Sequence, residues 1–330
     1  MSSRDALNRC RYDGSDRGHY ESWFQRANHP RRPLAFWIRY TIFSPAGRAA
    51  DAIGELWAIV FDGERHRITA VKEEHPIADC SFSDAGLQVR IAGATLDDDG
   101  LHGEARKGGH HLAWSLRQQG REPPLLLLPS RLYDATLPKA KALVGTPLAR
   151  FDGHLQVDGE RLDVDGWVGS LNHNWGRQHT DHYAWGQVAG FDDEPDAFLE
   201  LSTARIKLGP VWTPFLTPLV LRLDGQEHAI NGIAQALRAH GRFRPFEWTF
   251  ATRGPGVRIE GTIRAAARDF VGLRYGNPPG GEKICLNTKL ASCELLVERE
   301  GQPARRLETR HRAAFEILSD TAPAGVDVVA

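Results

Sequence analysis

The most constraining feature of the chain is an alternation of apolar and polar residues with a period of two. Ala35–Phe43 is the first of these segments, and it is rich in aromatic and β-branched residues. The same alternation occurs in Val89–Ile91, His111–Leu116, His154–Val157, Arg161–Val164, Val257–Ile263 and Glu294–Val297. Successive side chains of a strand point to opposite faces of a sheet, so this period predicts β-strands.

Turn-forming dipeptides separate these segments. They are Asp62-Gly63, Asp99-Gly100, Gly108-Gly109, Asp152-Gly153, Asp158-Gly159, Asp165-Gly166 and Asp224-Gly225. Such pairs tolerate the positive φ angles of tight hairpin turns, so the pattern predicts short antiparallel strands. Regular spacing of short strands is typical of a β-barrel or sandwich. We therefore predict an all-β protein with few short helices.

The pattern occurs twice along the chain. The interval from Ala35 to Asp62 is 27 residues, and the interval from Ala197 to Asp224 is also 27. The shared landmarks are His19–Trp23, Ala35-Phe36 and Asp62–His66 in the first half, and His182–Trp185, Ala197-Phe198 and Asp224–His228 in the second. Matching order and interval predict two copies of one β unit. We place an N-terminal β domain at residues 1–178 and a C-terminal β-barrel domain at residues 179–330.

Two segments are ambiguous at this level. Ser130–Val144 is compatible with one or two short helices interrupted by Pro138. Gly232–His240 has helical propensity, but it aligns with Ala70–Glu74 of the first copy, which follows an Asp-Gly turn. We predict a strand there, because tertiary context overrides weak propensity.

Charge and hydropathy exclude several classes of function. The chain has 330 residues, with 41 Lys and Arg against 42 Asp and Glu, and a net charge of −1. A neutral chain has no electrostatic attraction for nucleic acid, so we expect no such partner. Its longest apolar runs, Leu125–Leu128 and Trp57–Phe61, are far shorter than the roughly 18 residues of a membrane span. Met1–Gly18 has no apolar signal core, and we expect a cytoplasmic protein.

The four cysteines do not form a recognisable motif. Cys10, Cys80, Cys285 and Cys293 have no C-x-x-C spacing, and we interpret them as free, mostly buried thiols. A disulfide between Cys285 and Cys293 on adjacent strands is the alternative, which a cytosolic location disfavours.

Common catalytic motifs are missing as well. The chain contains no G-x-S-x-G elbow, no G-x-G-x-x-G after a strand, no Walker-type loop and no H-E-x-x-H. A hydrolase nucleophile and nucleotide chemistry are therefore unsupported, and we expect no cofactor.

The densest group of polar and aromatic residues lies at the junction of the two copies. The range from Asn172 to Gln187 contains three His and two Trp. Domain junctions favour small-molecule pockets, and His transfers protons near neutral pH. A hydrogen-bonded structural corner is the alternative. A third interpretation is a metal site formed by His173, His179 and His182 with Asp181. On a strand, however, His179 and His182 would point to opposite faces, so we predict no metal.

Charged residues also interrupt apolar strands. Arg39 lies in Ala35–Phe43, on the same face as Trp37, and a buried Arg needs a partner, for which Glu21 or Glu55 is a candidate. A structural ion pair is the simpler interpretation of this residue.

Glu200 alternates with Phe198 on the strand predicted at Phe198–Thr203. A carboxyl group in an apolar cleft has a raised pKa and acts as a general acid. Solvent exposure is the alternative. Asn287 and Lys289 face the same way on a later predicted strand.

In these residues the chain resembles the lipocalin-like proteins grouped with carotenoid 1,2-hydratase (hydroxyneurosporene synthase). That group includes fungal Diels–Alderases and is similar to tocopherol cyclases. The resemblance rests on His173-Asn174-Trp175-Gly176, on the opening Tyr20–Phe24 and on the two-copy layout. It implies two tandem lipocalin-like antiparallel β-barrel or sandwich domains with an apolar pocket at or near their interface. It also implies cofactor-free hydration, cyclisation or isomerisation of lipophilic polyenes.

Carried over by position, the resemblance implies that His173 and Trp175 lie near the reacting double bond and that Glu200 is the proton donor. Members of the group often have an acidic residue just before the His, as in His-Asp-His-Asn-Trp-Gly. This chain has Leu171-Asn172 there. The departure favours a different lipid-like substrate, or binding without turnover, over carotenoid hydration itself.

We therefore predict a cofactor-independent lyase or isomerase that acts on a hydrophobic terpenoid- or polyketide-like molecule. Glu200 would protonate an alkene, Trp175 and Trp185 would stabilise cationic character, and His173 would orient water or accept a proton. The predicted substrate-binding residues are Trp23, Trp37, Arg39, Asn174, His182, Trp185, Gln187 and Asn287. A non-catalytic carrier of a small lipophilic ligand is the alternative, and a structural role for the motif is a third. No surface patch predicts an oligomeric state.

Overall fold

A computed structural model describes residues 3–329, so that Met1, Ser2 and Ala330 lie outside the described residues. Nearly all of its regular structure is strand. The strands are β1 (His19–Asn28), β2 (Leu34–Ser44), β3 (Ile53–Asp62), β4 (Arg67–Pro76), β5 (Cys80–Phe82), β6 (Gln88–Ile91), β7 (Ala94–Asp97), β8 (Gly100–Lys107), β9 (His110–Gln119), β10 (Leu125–Leu126), β11 (Ala140–Val157), β12 (Glu160–Gly176), β13 (His182–Ala189), β14 (Phe198–Arg205), β15 (Lys207–Leu208), β16 (Val211–Trp212), β17 (Leu219–Leu223), β18 (Gln226–Ile230), β19 (His240–Arg244), β20 (Glu247–Gly254), β21 (Val257–Arg264), β22 (Val271–Gly276), β23 (Glu282–Arg299), β24 (Arg305–Ser319) and β25 (Val328–Val329). The helices are α1 (Ser3–Asn8), α2 (Ile233–Arg238) and single 3-10 turns at Ala49–Asp51, Ile77–Asp79, Ser130–Leu132 and Ala267–Asp269.

The strands form two large sheets with the same order of pairing. The first runs β4-β3-β2-β1-β12-β11-β9-β8-β7-β6-β5, and β4 comes back against β8 and β9 to give a nearly closed barrel. The second runs β18-β17-β14-β13-β24-β23-β21-β20-β19. The predicted all-β fold with two lipocalin-like sheets and few short helices is confirmed. The chain passes from the first sheet to the second between Gly176 and His182. The exact division at 178/179 into domains stays a prediction.

The central strands are buried on both faces, which explains their aromatic sequences. In β2, Phe36, Ile38 and Tyr40 pack inside the first barrel, whereas Trp37 lies on the other face against the second sheet. The long strand β23 packs across β1, β2 and β3. A strand that is buried on both faces has no solvent-exposed polar face, so its sequence is a nearly continuous apolar run. The molecule therefore has a core in each half and a third apolar layer between the halves.

Most of the predicted turns occur where the sequence places them, but two do not. Asp152-Gly153 lies inside β11 and Asp165-Gly166 lies inside β12. The register of this pair shifts between Phe151 and Gly153, which marks a β-bulge. The side chain of Asp152 accepts a hydrogen bond of 2.8 Å from the Gly166 N–H. These dipeptides therefore bend one long hairpin and do not end it.

The two ambiguous segments also differ from the predictions. Gly232–His240 is mostly the helix α2, and a strand begins only at His240. The Gln235 side chain accepts a hydrogen bond from the Gly232 N–H, and Ala236 packs inward, so local propensity prevails where the chain leaves the sheet. Ser130–Val144 contains only the 3-10 turn at Ser130–Leu132, and β11 begins at Ala140.

The cysteines are free thiols, three of them buried. Cys285 and Cys293 lie on the same strand, β23, and not on adjacent strands, so the alternative disulfide is wrong. No helix within residues 3–329 has the length and apolar character needed to cross a membrane.

A glycine allows β1 and β12 to pair closely. A Cβ atom on Gly169 would overlap the carbonyl oxygen of Arg26, which is backbone and has little freedom to move. We expect Gly169→Ala to lower the free energy of unfolding by about 2 kcal/mol or more through overpacking. Gly93 has open space around it, so Gly93→Ala should change stability by less than about 0.5 kcal/mol. Urea unfolding monitored by tryptophan fluorescence measures both values, and equal stabilities of the two variants would contradict the expectation.

Candidate functional site

A cavity of about 430 Å³ lies between the two sheets. The first half contributes Tyr20, Phe24, Trp37, Arg39, Asn172 and Asn174, and the second contributes Tyr183, Trp185, Glu200, Arg205, Tyr275 and Glu316. Leu137 and Ile233 also line it and are about half exposed, so they mark its mouth. A largely apolar cleft with a few convergent polar groups is typical of a small-molecule site.

Glu200 is the buried acid of this cavity. It lies on β14, is 2% exposed, and accepts hydrogen bonds from Trp185 Nε1 at 2.7 Å and from Gln187 Nε2 at 2.9 Å. Burial raises the pKa of Glu200 to about 7, and these two hydrogen bonds with the charge of Arg26 limit the rise. The solvent-exposed alternative is therefore wrong. A carboxyl group with this pKa holds a proton in about half of the molecules at neutral pH.

Gln187 fixes the position of Glu200 without lining the cavity itself. Its Oε1 accepts hydrogen bonds from Arg26 Nε at 2.8 Å and from Ser170 Oγ at 2.6 Å. Because Arg26 can only donate, the amide oxygen must face it, and the NH₂ group must face Glu200 and Asn172. The predicted substrate-binding residue Gln187 is thus a link between the carboxyl group and a buried cation.

A second buried charge cluster lies on β23 and β24. Lys289 Nζ donates to Glu316 Oε1 at 2.8 Å and to Asn287 Oδ1 at 2.6 Å, and Asn287 donates to Glu316 at 2.9 Å. Burial lowers the pKa of Lys289, while Glu316 acts in the opposite direction. Of the three, Glu316 lines the cavity, so Asn287 supports a wall residue and lies behind it.

His173 has no nitrogen free for a ligand. Its Nε2 lies 2.9 Å from Glu21 Oε1, its Nδ1 lies 2.8 Å from the carbonyl oxygen of Leu7, and its ring stacks on Trp23 at 4.8 Å. Burial opposes ionisation of Glu21, but hydrogen bonds from His173 and His19 hold the pKa of Glu21 at about 2. His173 borders the cavity with both ring nitrogens engaged, and its part in water or proton chemistry stays a prediction.

Three other predicted residues do not line the cavity. Trp175 lies on the opposite face of β12 from Asn174 and packs under Arg11, 3.7 Å from its guanidinium carbon. Trp23 is in the core of the first barrel and donates to the carbonyl oxygen of Asn8. His182 packs against Phe243, with its Nδ1 3.3 Å from the carbonyl oxygen of Leu318.

Arg39 lines the cavity, but its expected ion pair is absent. Glu21 binds His173, and Glu55 lies 2.9 Å from Lys72 Nζ. Within residues 3–329, Arg39 makes no ion pair; its guanidinium donates to Ser22 Oγ at 2.7 Å and lies over the ring of Tyr275 at 4.6 Å. The prediction of Glu21 or Glu55 as its partner is therefore wrong.

The predicted residues that do meet in the cavity wall are Trp37, Arg39, His173, Asn174, Trp185 and Glu200. Sequence reasoning missed Glu316 and Tyr275, which also line it. Glu316 carried a usable signal, since it interrupts the apolar run Ala313–Leu318 as Glu200 interrupts its own strand. Tyr275 carried none, because it precedes a loop.

The alternative metal site does not assemble. His173 bonds to Glu21, His179 bonds to the carbonyl oxygen of Gly276 and His182 bonds to that of Leu318. In the part of the chain that the structure describes, no three His, Cys, Asp or Glu side chains come together as metal ligands.

Comparison with known proteins supports the fold and leaves the activity open. No family model matches the chain. Uncharacterized proteins of Mycobacterium tuberculosis strains CDC 1551 and H37Rv are 24% identical over 310 residues, covering 93% of this chain and 89% of theirs.

Three solved structures share the fold along almost the whole chain. A candidate AttH of Nitrosomonas europaea has a TM-score of 0.59 at 13% identity, covering 98% of this chain and 97% of its own. Kievitone hydratase of Nectria haematococca has a TM-score of 0.57 at 9% identity, with 91% and 89% covered. CghA with Sch210972 has a TM-score of 0.58 at 13% identity, with 93% and 89% covered. The predicted resemblance to this group of lipocalin-like proteins is thus confirmed at the level of the fold.

The titration of Glu200 is directly measurable. The charged and titratable groups that act on it are Arg26, Glu316 and Tyr133. We expect its carboxyl carbon, observed by ¹³C NMR, to titrate at about 7. The Glu200→Gln variant identifies the signal, and a midpoint below about 5 would contradict the burial argument.

The raised pKa of Glu200 also predicts that the stability of the protein depends on pH. Between about 4.5 and about 7 the folded chain keeps a proton on Glu200 that the unfolded chain has lost. The contribution of this group to the free energy of unfolding should therefore fall as the pH rises through that window, and stay constant above it. Urea unfolding at several pH values should show this slope in the wild type and a reduced slope in Glu200→Gln.

Proposed function

We propose that the chain is a cofactor-independent lyase or isomerase that binds a lipophilic terpenoid- or polyketide-like molecule in the interface cavity. Glu200 is its proton donor. One observation carries the proposal: a carboxyl group with a pKa raised to about 7 stands in the wall of a largely apolar cavity. Such a group is neutral often enough to donate a proton and remains a competent base afterwards.

The surroundings of Glu200 suit proton transfer to an alkene. Each of its oxygens already accepts one N–H hydrogen bond, which stabilises the carboxylate that remains after the proton leaves. The rings of Trp37, Trp185 and Tyr275 border the same space and stabilise a cationic carbon. The cation then loses a proton to Glu200, is attacked by a second double bond to give a new ring cation that loses a proton to Glu200, or adds a water molecule that gives up one proton to Glu200. These outcomes are isomerisation, cyclisation and hydration.

Two of the structural neighbours support this class of function. One is named a hydratase, and CghA was solved with the small molecule Sch210972. We extend to this chain only the general expectation of cofactor-free lyase or cyclase-like chemistry. We also propose a cytoplasmic location and no nucleic-acid partner, in line with the near-zero net charge.

The substitution Glu200→Gln tests the proposal, because it removes the acid and nearly preserves the size of the side chain. Dialysed protein, without added cofactor, is incubated with a mixed terpenoid and polyene extract and analysed by liquid chromatography and mass spectrometry. We expect the wild type to convert a component into an isomer or into a product heavier by one water. Glu200→Gln should lose about 100-fold or more of this rate and still bind the same component.

The outcome separates an enzyme from a carrier. A carrier has the same cavity but needs no proton donor, so it would retain a component unchanged in both variants. Ala142→Trp, which places a large side chain at the cavity wall, should abolish retention in either case. Equal conversion by the wild type and Glu200→Gln would overturn the role of Glu200.

A further inference from the structure

Several buried polar atoms in the cavity wall have no partner within residues 3–329. They are Trp37 Nε1, Arg39 Nε, Arg205 Nε and Asn174 Oδ1. Three of the four are N–H donors. A buried donor without an acceptor costs free energy, and native proteins rarely leave such groups unsatisfied. Side chains that line the cavity therefore carry donors whose hydrogen-bonding capacity no described residue uses.

Cations outnumber carboxyl groups in the wall of the cavity. Arg39, Lys141 and Arg205 line the cavity, and none of them forms an ion pair in the part of the chain described. Of the two carboxyl groups in the wall, Glu316 is neutralised by Lys289, and Glu200 faces the buried Arg26 through Gln187. The unneutralised charge of the cavity is therefore positive.

Arg39 is the best placed of these cations. It is 4% exposed, its guanidinium is held by Ser22 Oγ, and its position over Tyr275 keeps the group in one orientation. Trp37 and Arg39 are two residues apart on β2, so their side chains project from the same face of the sheet. Lys141 differs, because its Nζ already donates to the carbonyl oxygens of Ala135 and Pro138.

We propose that the ligand is an amphipathic acid, whose carboxylate is bound by Arg39 and Trp37 Nε1 while its lipophilic body fills the rest of the cavity. This inference rests on the proposed function, since it assumes that the cavity binds a lipophile. A guanidinium and an indole N–H are both pure donors, so they favour an anionic oxygen over a neutral ester or alcohol. The carboxylate supplies the ion-pair partner that Arg39 lacks among the described residues.

A matched pair of probes tests the proposal. cis-Parinaric acid and its methyl ester have the same polyene chain, and their fluorescence increases in an apolar environment. Titrations are made at about pH 8, where a carboxylic acid is ionised. We expect the wild type to bind the acid about tenfold or more tightly than the ester. Arg39→Gln should lose that preference by weakening acid binding, and should change ester binding by less than about twofold.

Two further variants make the test specific. Arg238→Gln removes the same charge from the exposed end of α2, outside the cavity, and should leave the preference for the acid intact. Arg39→Lys keeps the charge and loses the planar donors, so it should keep a reduced preference. Thermal unfolding followed by circular dichroism shows whether each variant is folded, and the comparison of acid with ester in the wild type requires no variant.

The possible failures are distinguishable. If the acid and the ester bind the wild type equally well, the inference is wrong while the lipophilic cavity stands. If the acid is preferred but Arg39→Gln behaves like Arg238→Gln, the carboxylate lies elsewhere and the inference is again wrong. If neither probe binds, lipophile binding fails, and the inference fails with it.

Discussion

The arrangement of the two sheets depends on one buried guanidinium. Arg26 on β1 is completely buried, and its donors reach Gln187 of β13, Asn28 of its own strand and the carbonyl oxygen of Arg312 on β24. A buried cation is tolerated only when its donors are satisfied, so these strands must keep one relative position. Because the guanidinium also sets the orientation of the Gln187 amide, it determines which atom meets Glu200. The link that joins the halves is thus the link that positions the acid.

The layer between the sheets carries more charge than its stability requires. Glu200, Glu316, Lys289 and Arg26 all lie among large aromatic and aliphatic side chains. A protein with apolar residues of similar volume in place of buried ion pairs is often as stable or more stable, because the cost of desolvation offsets most of the attraction between the charges. Polar groups that cost stability and converge on a cavity are usual at functional sites. The cost of this layer is therefore an argument for function that does not depend on any likeness to other proteins.

The sequence predicts the strands better than it predicts which side of them faces the cavity. The aromatic and β-branched composition of Ala35–Phe43 identifies β2, and an acidic residue among apolar neighbours identifies Glu200 as a candidate buried acid. Alternation also places Trp175 and Asn174 on opposite faces of β12, but it does not say which face meets the second sheet. That choice is made by the packing of the second sheet against β1 and β12, which involves residues far away in the chain. Arg39 is a second example. The sequence predicts that it is buried, but its lack of an acidic partner is seen only in the structure, where Glu21 binds His173 and Glu55 binds Lys72.

The cavity lies between two sheets that each have an apolar core of their own. Trp23, Phe36 and Trp167 pack in the core of the first sheet, and Trp248 and Phe315 pack in the core of the second. Irregular chain completes the wall of the cavity where the two sheets meet. The mouth is built from the segment around Leu137 and from α2, and the prediction of secondary structure was wrong at both places. Local sequence rules fail most often where a chain serves something other than regular packing, and these two failures lie at the entrance of the cavity.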